Sequence, residues 1–119
     1  MKRLNFADGE TVFRQGDRSD AAYLIMEGEV EIVREGRDGP AEVIAVLGRG
    51  DYFGEMGAID DQPRSASARA KGKLACMSVE RAEFMDMLLK RPREAIELLK
   101  ILFERLRRTN AKLARLRKS

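Results

Sequence analysis

Apolar and polar residues alternate in short runs through the first two thirds of the chain. In residues 29–33 the alternation has a period of two, which predicts a strand with one buried face. The apolar runs 21–26 and 42–47 predict further strands, and the polar, glycine-containing segment 35–40 predicts a turn. Residues 28–47 are therefore predicted to form a hairpin.

The same pattern extends to both sides of this hairpin. Strands are predicted around residues 11–14, at 65–70 and at 74–79, with Lys71-Gly72-Lys73 as the turn between the last two. Residues 48–63 lack the alternation, and a single helical turn is expected around 55–59. Regular short strands with glycine-rich turns are typical of an all-β sandwich or barrel.

The pattern becomes helical after Ser78. Phe84, Met85, Leu88 and Leu89 form an amphipathic stripe. Pro92 suits the first turn of a second helix, and neither glycine nor proline follows it. At 119 residues the chain fits one domain, so we expect a mainly β jelly roll, or β-roll, at about 6–79 and C-terminal helices at about 80–117.

The composition narrows the classes of function. The chain has no histidine and one cysteine, which argues against histidine-based catalysis and against ordinary zinc or haem ligation. Cys76 lies in an apolar run and is expected to be a buried small side chain. No run approaches the about 20 apolar residues of a membrane span, and the N-terminus lacks a secretory signal. These features predict a cytoplasmic protein that is not an enzyme, with no metal, no cofactor and no membrane contact.

Residues 53–68, FGEMGAIDDQPRSASA, carry the most specific chemistry. Gly54 opens a short helix whose backbone N–H groups favour an anion, and Arg64 can bind one phosphate group with two hydrogen bonds. Ser65 and Ala66 are small enough to leave room beside that arginine. The Glu55 carboxylate would repel a bare phosphate but can accept hydrogen bonds from a ribose hydroxyl. A ligand with a phosphate and a free ribose hydroxyl would satisfy both charges.

This segment closely resembles the phosphate-binding cassette of the cyclic nucleotide-binding domain family, with its Phe-Gly-Glu start and its Pro-Arg-x-Ala-Ser/Thr finish. Further family landmarks are Gly16-Asp17, Gly28 and the Gly48-x-Gly50 turn. The resemblance runs from about residue 6 to residue 110. It departs from the common pattern at Gly57 and Ala58, which are smaller than the usual Ala-Leu pair.

The resemblance implies roles for individual residues. Glu55 would accept from the ribose 2′-hydroxyl, Arg64 would neutralise the cyclic phosphate, and Gly54 and Ala66 would donate backbone N–H groups. Ser65 stands where the family distinguishes purines, and serine there favours cAMP without excluding cGMP. The complete set of predicted contacts is Phe53, Gly54, Glu55, Met56, Arg64, Ser65 and Ala66.

The C-terminal helix shows a second pattern. Apolar residues and one asparagine recur at alternating spacings of three and four, as in a coiled-coil seam: Ile96, Leu99, Phe103, Leu106, Asn110 and Leu113. This predicts a homodimer through residues 96–113; an amphipathic helix that covers its own domain is the alternative. The seam resembles the dimerisation helix of catabolite-activator-type regulators, which makes Thr109 and Asn110 candidate purine contacts.

Charge is distributed unevenly along the chain. Residues 91–119 contain ten Lys/Arg and three Asp/Glu, whereas the whole chain has a net charge of +3. A helix-turn-helix DNA reader would need two further helices, so we expect an exposed helix face rather than direct nucleic-acid binding.

We therefore predict a sensor that binds a cyclic mononucleotide and signals by movement of the C-terminal helix. The alternatives are a ligand-free interaction or dimerisation module, a cupin-like enzyme, and nucleic-acid binding by residues 91–119.

Overall fold

The computed structural model describes residues 1–36 and 39–118. Most of the first 80 residues form strands, a short helix separates the last two strands, and two further helices follow. The elements are β1 (Lys2–Phe6), β2 (Thr11–Phe13), β3 (Ala21–Arg34), β4 (Glu42–Leu47), β5 (Tyr52–Phe53), α1 (Glu55–Asp60), β6 (Ser67–Glu80), α2 (Arg81–Lys90) and α3 (Pro92–Lys118). The prediction of a mainly β chain with C-terminal helices is confirmed.

The strands of the described residues pair in antiparallel fashion in the order β1-β6-β3-β4, with β2 also on β6 and β5 also on β3. The predicted hairpin is confirmed, since Val30 pairs with Leu47 and Arg34 pairs with Glu42. The long β3–β6 pair is the axis of this sheet. It brings residues 21–33 beside residues 67–80.

Two sequence predictions were wrong about where strands end. The runs 21–26 and 29–33 belong to one strand, β3, and the predicted turn at residues 71–73 lies inside the continuous strand β6. The strands bend where they were expected to stop, because the β3–β6 register shifts between Ile25 and Glu29. β1 and β5 were not predicted, and the first strand begins at Lys2 rather than near residue 6.

Gly28 lies at the bend of β3, with a positive φ of 90°. A Cβ at this position would overlap the carbonyl oxygen of Lys73 and lie 3.1 Å from Leu74 Cα. The close approach of the two strands at this bend therefore requires glycine.

The buried core is formed by side chains of β3, β5 and β6. Its buried members are Ala21, Tyr23, Ile25, Val30, Phe53, Ala68, Ala70, Leu74 and Cys76. Cys76 is fully buried, and burial raises the pKa of its thiol to about 11, so the thiol stays protonated at neutral pH. The prediction of a buried, structural cysteine is confirmed.

The chain divides into two compact units, residues 1–85 and residues 86–119. The first unit contains the sheet, α1 and the start of α2, where Phe84 is fully buried. The second contains the end of α2 and all of α3. Among the described residues, no helix is long and apolar enough to cross a bilayer. That the whole chain is one domain stays a prediction.

Candidate functional site

The Arg64 side chain is buried among strands and aromatic rings rather than extended into solvent; the residue is 5% exposed. Its Nη1 donates a hydrogen bond to the Gly54 carbonyl oxygen at 2.7 Å, and its Nη2 donates to the Ala21 carbonyl oxygen at 2.6 Å. The guanidinium carbon lies 4.1 Å from the centre of the Phe13 ring and 5.8 Å from that of Tyr23. Carbonyl dipoles and aromatic faces therefore hold the cation in place.

One N–H of this guanidinium remains without a partner. Arg64 Nε is buried, and no acceptor among the described residues lies within hydrogen-bond distance of it. A buried donor without an acceptor typically costs about 1–3 kcal/mol, and more when the donor is charged. The site therefore favours an added acceptor, and an anionic one most, because the donor belongs to a buried cation.

Several groups act on the charge of Arg64. Burial is the largest effect and lowers its pKa, while Tyr23, Asp20, Asp17 and Glu55 act in the opposite direction. Asp20 Oδ1 lies 3.9 Å from Arg64 Nη2, but its side chain is 78% exposed, so water screens this pair. Arginine stays protonated in proteins, and the site therefore holds a buried positive charge.

The backbone of Arg64 is fixed by the turn that follows β2. Arg64 N–H donates to the Asp17 carbonyl oxygen, and Gly16 N–H donates to the Arg64 carbonyl oxygen, both at 2.8 Å. Gly16 has a φ of 89°, and Asp17 closes the turn by accepting from Arg14 N–H at 3.0 Å. The Gly16-Asp17 landmark thus has a physical role here, which is to position Arg64.

Glu55 and Gly54 lie at the start of α1. Gly54 is the N-cap, with a φ of 73°, and Glu55 is the first helical residue and is 3% exposed. A Cβ on Gly54 would lie 2.6 Å from Arg64 Nη1, so the group that approaches this glycine is the guanidinium. The Glu55 carboxylate acts on the pKa of Arg64, so both charges belong to one region.

Phe53 extends the aromatic cluster around Arg64. Its ring stacks on Tyr23 at 5.0 Å between centroids and lies 5.9 Å from Phe13. Because Phe53 is 1% exposed, its observed role is to support the floor of the site. A direct contact between Phe53 and a ligand stays a prediction.

The other predicted site residues are distributed as follows. Ala66 is buried and Ser65 is exposed beside Arg64. Met56 lies in α1, but its side chain is outside the described residues. Thr109 and Asn110 are exposed in α3, within the second unit, where Thr109 Oγ1 donates to the Arg105 carbonyl oxygen at 3.0 Å. The structure therefore brings together Phe53, Gly54, Glu55, Arg64, Ser65 and Ala66, while purine contacts by Thr109 and Asn110 stay predictions.

Four residues of this site were not predicted from the sequence. Phe13, Ala21 and Tyr23 looked like ordinary strand residues, and Ser19 lay in a polar loop without a motif. Each of them contacts Gln62 or Arg64, which lies more than 40 positions later in the sequence. The spacing of neighbouring residues does not predict contacts over such a separation. The available hint was that Phe13 and Tyr23 are two of the seven aromatic residues of the chain, and each lies in or beside a predicted strand.

An open groove lies next to the site. It has a volume of about 580 Å³ and shares Asp20, Ala21 and Tyr23 with the surroundings of Arg64. Basic and acidic side chains line it together: Lys2, Arg18 and Arg81 with Asp20, Asp61 and Glu80. Among the described residues, no group of three or more His, Cys, Asp or Glu side chains is arranged to hold a metal ion.

Comparison with known families supplies an independent line of evidence. The family model described as the cyclic nucleotide-binding domain matches residues 3–91. That range contains the cassette, the Gly16-Asp17 turn and every residue found around Arg64. The resemblance noted in the sequence is confirmed.

Two curated relatives and one solved structure extend this finding. A CRP-like cAMP-activated global transcriptional regulator of Mycobacterium tuberculosis is 35% identical over 114 residues, which is 96% of this chain and 51% of the relative. A cAMP-dependent protein kinase regulatory subunit of Blastocladiella emersonii is 36% identical over 88 residues, which is 74% of this chain and 22% of the relative. The chain therefore spans about half of the regulator and a smaller part of the subunit.

The fold matches a crystal structure of the catabolite activator protein of Thermus thermophilus. The TM-score is 0.86 at 33% identity, over 97% of this chain and 54% of that one. The prediction of a β-roll is confirmed by this likeness.

Proposed function

The chain belongs to the cyclic nucleotide-binding domain family, and from that premise we propose that it binds a cyclic mononucleotide, cAMP in preference to cGMP, as a sensor rather than an enzyme. The observation that carries the proposal is the buried Nε of Arg64, a charged donor without an acceptor among the described residues. The similar regulator and kinase subunit both carry cAMP in their names, which supports the choice of purine.

In the proposed binding mode, Arg64 and Glu55 bind different groups of the ligand. The cyclic phosphate accepts from the Arg64 guanidinium, and the backbone N–H groups of Gly54 and Ala66 add donors. Glu55 accepts from the ribose 2′-hydroxyl. Ser65 is exposed beside Arg64, which suits a residue that faces the purine. Phe53 and Met56 complete the set of proposed contacts.

A thermal-shift panel on the whole chain tests the proposal. The ligands are cAMP, cGMP, 5′-AMP and cyclic di-GMP, so that ring closure, purine and size are varied separately. A ligand present at 100 times its Kd stabilises the folded state by about 2.7 kcal/mol, which raises Tm by several degrees. We expect the largest shift with cAMP, a smaller one with cGMP and none with 5′-AMP. A Tm that responds to none of the four contradicts the proposal.

The role of Glu55 is tested with a ligand that lacks the hydroxyl. Wild-type protein is expected to bind cAMP about 10- to 100-fold more tightly than 2′-deoxy-cAMP, because a hydrogen bond to a charged acceptor contributes about 1.5–3 kcal/mol. In Glu55→Gln this ratio falls towards one, since the amide accepts more weakly than the carboxylate. Isothermal titration calorimetry measures the four dissociation constants.

Glu42→Gln is the matched control for this experiment, because Glu42 is exposed in β4, outside residues 53–68, and lies opposite Arg34 in the β3–β4 pair. The control should keep the wild-type ratio. An unchanged ratio in Glu55→Gln would remove the ribose from the proposed role of this carboxylate.

The proposal also includes an output through α3. Four apolar side chains of the predicted seam are each about half exposed: Ile96, Leu99, Phe103 and Leu106. Such a stripe is suited to pairing with a second copy, so we include a homodimer through residues 96–113, with ligand-dependent movement of this helix, in the proposal. Asn110 is exposed on the same helix, and the side chain of Leu113 lies outside the described residues.

A ligand-free dimerisation module is the remaining candidate, and the exposed stripe on α3 is the observation that favours it. The two proposals differ in the panel above, since a ligand-free module would show no shift with any nucleotide. Direct nucleic-acid binding by α3 is not part of the proposal, although the similar regulator is named for transcription.

A further inference from the structure

Ser19, in the loop between β2 and β3, is buried against α1. The residue is 3% exposed, and its Oγ donates a hydrogen bond to the Gln62 carbonyl oxygen at 2.6 Å. Gly57, in the middle of α1, faces it. A Cβ added to Gly57 would overlap Ser19 Oγ and lie 2.6 Å from Ser19 Cβ and 3.1 Å from the Gln62 carbonyl oxygen. The serine side chain thus occupies the volume that a side chain at position 57 would need.

This contact is one of several between the loop that contains residues 16–19 and residues 62–64 of the cassette. Within residues 16–19 and 62–64, Gly16 and Asp17 are hydrogen-bonded to the backbone of Arg64, and Ser19 is hydrogen-bonded to Gln62. Ser19 is the member that also contacts the helix carrying Glu55 at its first position. It therefore links the segment that carries the guanidinium to the helix that carries the carboxylate.

We propose that Ser19 and Gly57 form an interlock that positions Arg64 and Glu55 for the ligand, with Ser19 as a positioning residue that does not touch the nucleotide. The inference rests on the proposed cyclic-nucleotide binding. It also accounts for the departure from the common Ala-Leu pair at Gly57 and Ala58, at least for Gly57, because the volume of an alanine methyl group is filled from the loop by Ser19.

Helix propensity predicts the sign of the change in Tm that Gly57→Ala would cause if there were no interlock. Alanine at an interior helix position is normally more stable than glycine. If Gly57 were an ordinary helical glycine, Gly57→Ala would raise Tm and leave binding intact. The interlock instead predicts that Gly57→Ala lowers Tm and weakens binding, because the new methyl group displaces Ser19.

The interlock also predicts which rate constant changes. A cassette that is held in its binding geometry before the ligand arrives loses less conformational freedom on binding. Loosening it lowers the fraction of molecules competent to bind, and the apparent affinity falls by that fraction. Ser19→Ala should therefore slow association about tenfold and leave dissociation nearly unchanged, a pattern that a general loss of stability does not produce in fully folded protein.

The experiment compares Ser19→Ala, Gly57→Ala and the double variant Ser19→Gly/Gly57→Ala. Thr11→Ala is the control, since it also removes a hydroxyl group and this exposed threonine of β2 lies outside the cassette and does not line the groove beside the site. Calorimetry gives the Kd for cAMP, stopped-flow with a fluorescent cAMP analogue gives the two rate constants, and thermal unfolding gives Tm. All binding is measured well below the lowest Tm of the set.

We expect Ser19→Ala and Gly57→Ala each to raise Kd about tenfold or more, and Thr11→Ala to match the wild type. The double variant should bind more tightly than Gly57→Ala, because removal of the serine side chain makes room for the new methyl group. Additive losses in the double variant, or Gly57→Ala binding as well as the wild type, would overturn the interlock. Wild-type protein that binds no nucleotide would instead overturn the proposed function and the ligand role of the interlock with it.

Discussion

Replacement of Arg64 with alanine is expected to raise the Kd for cAMP by about 30-fold to several thousand-fold, or about 2–5 kcal/mol. The reason is that the ligand phosphate would enter a desolvated site from which the buried cation has been removed. The guanidinium carbon lies 4.1 Å from the centre of the Phe13 ring and 5.8 Å from that of Tyr23, and neither ring supplies a positive charge in its place. Calorimetry with cAMP on folded protein measures the change.

Two further variants serve as controls in that experiment: one keeps the charge at position 64, and the other removes an arginine elsewhere. Arg64→Lys keeps the positive charge but loses the planar fork, so it should recover part of the affinity. Arg69→Ala removes an arginine that pairs with Glu31 on the exposed face of the sheet at 2.8 Å, and it should leave Kd unchanged.

Arg64 also contributes to the fold through its bonds to the carbonyl oxygens of Gly54 and Ala21. The alanine variant is therefore expected to have a lower Tm as well, and binding must be measured at a temperature where it is folded. Equal affinity of Arg64→Ala and wild type under those conditions would refute the proposed site.

Gly28→Ala is expected to produce the largest loss of stability among single methyl additions, about 3 kcal/mol or more. The backbone at Gly28 has a φ of 90°, a conformation that costs an L-residue about 1–3 kcal/mol. The added methyl group also overlaps the carbonyl oxygen of Lys73, a backbone atom that cannot rotate away. Relief requires the β3–β6 pair to separate at its bend.

Urea unfolding followed by circular dichroism measures this loss as a lower midpoint at an unchanged slope. Gly48→Ala is the matched control, because a Cβ at Gly48 meets no atom within 4 Å and its φ is not positive. The control should change the free energy of unfolding by less than about 0.5 kcal/mol. Equal stability of the two variants would show that the strands do not approach closely at the bend.

The local sequence could not show that β3 and β6 continue through Gly28 and Gly72. Glycine with a positive φ ends a strand in a turn or bends a strand at a bulge, and the local sequence is the same in both cases. What decides between them is the partner strand. Because β3 and β6 pair along their length, both continue through their glycines. The hairpin between β3 and β4 was predictable, since its turn and both strands lie close together in sequence.

The cassette was predictable for a different reason. Gly54, Glu55 and Arg64 lie within eleven positions and carry their chemistry in their spacing. The surroundings of Arg64 were not predictable, because Phe13, Ala21 and the Ser19 loop reach it from distant parts of the chain. The sequence thus identified the charged groups, and the structure supplied what holds them.

The NMR resonance of the Arg64 Nε–H group reports whether this buried donor receives the ligand anion. In uniformly ¹⁵N-labelled protein its resonance is identified by its absence from Arg64→Lys and is followed while cAMP is added. We expect this resonance to shift as cAMP is added, with saturation at one equivalent of cAMP per chain. Calorimetry that shows cAMP bound while the Arg64 Nε resonance stays in place would contradict it.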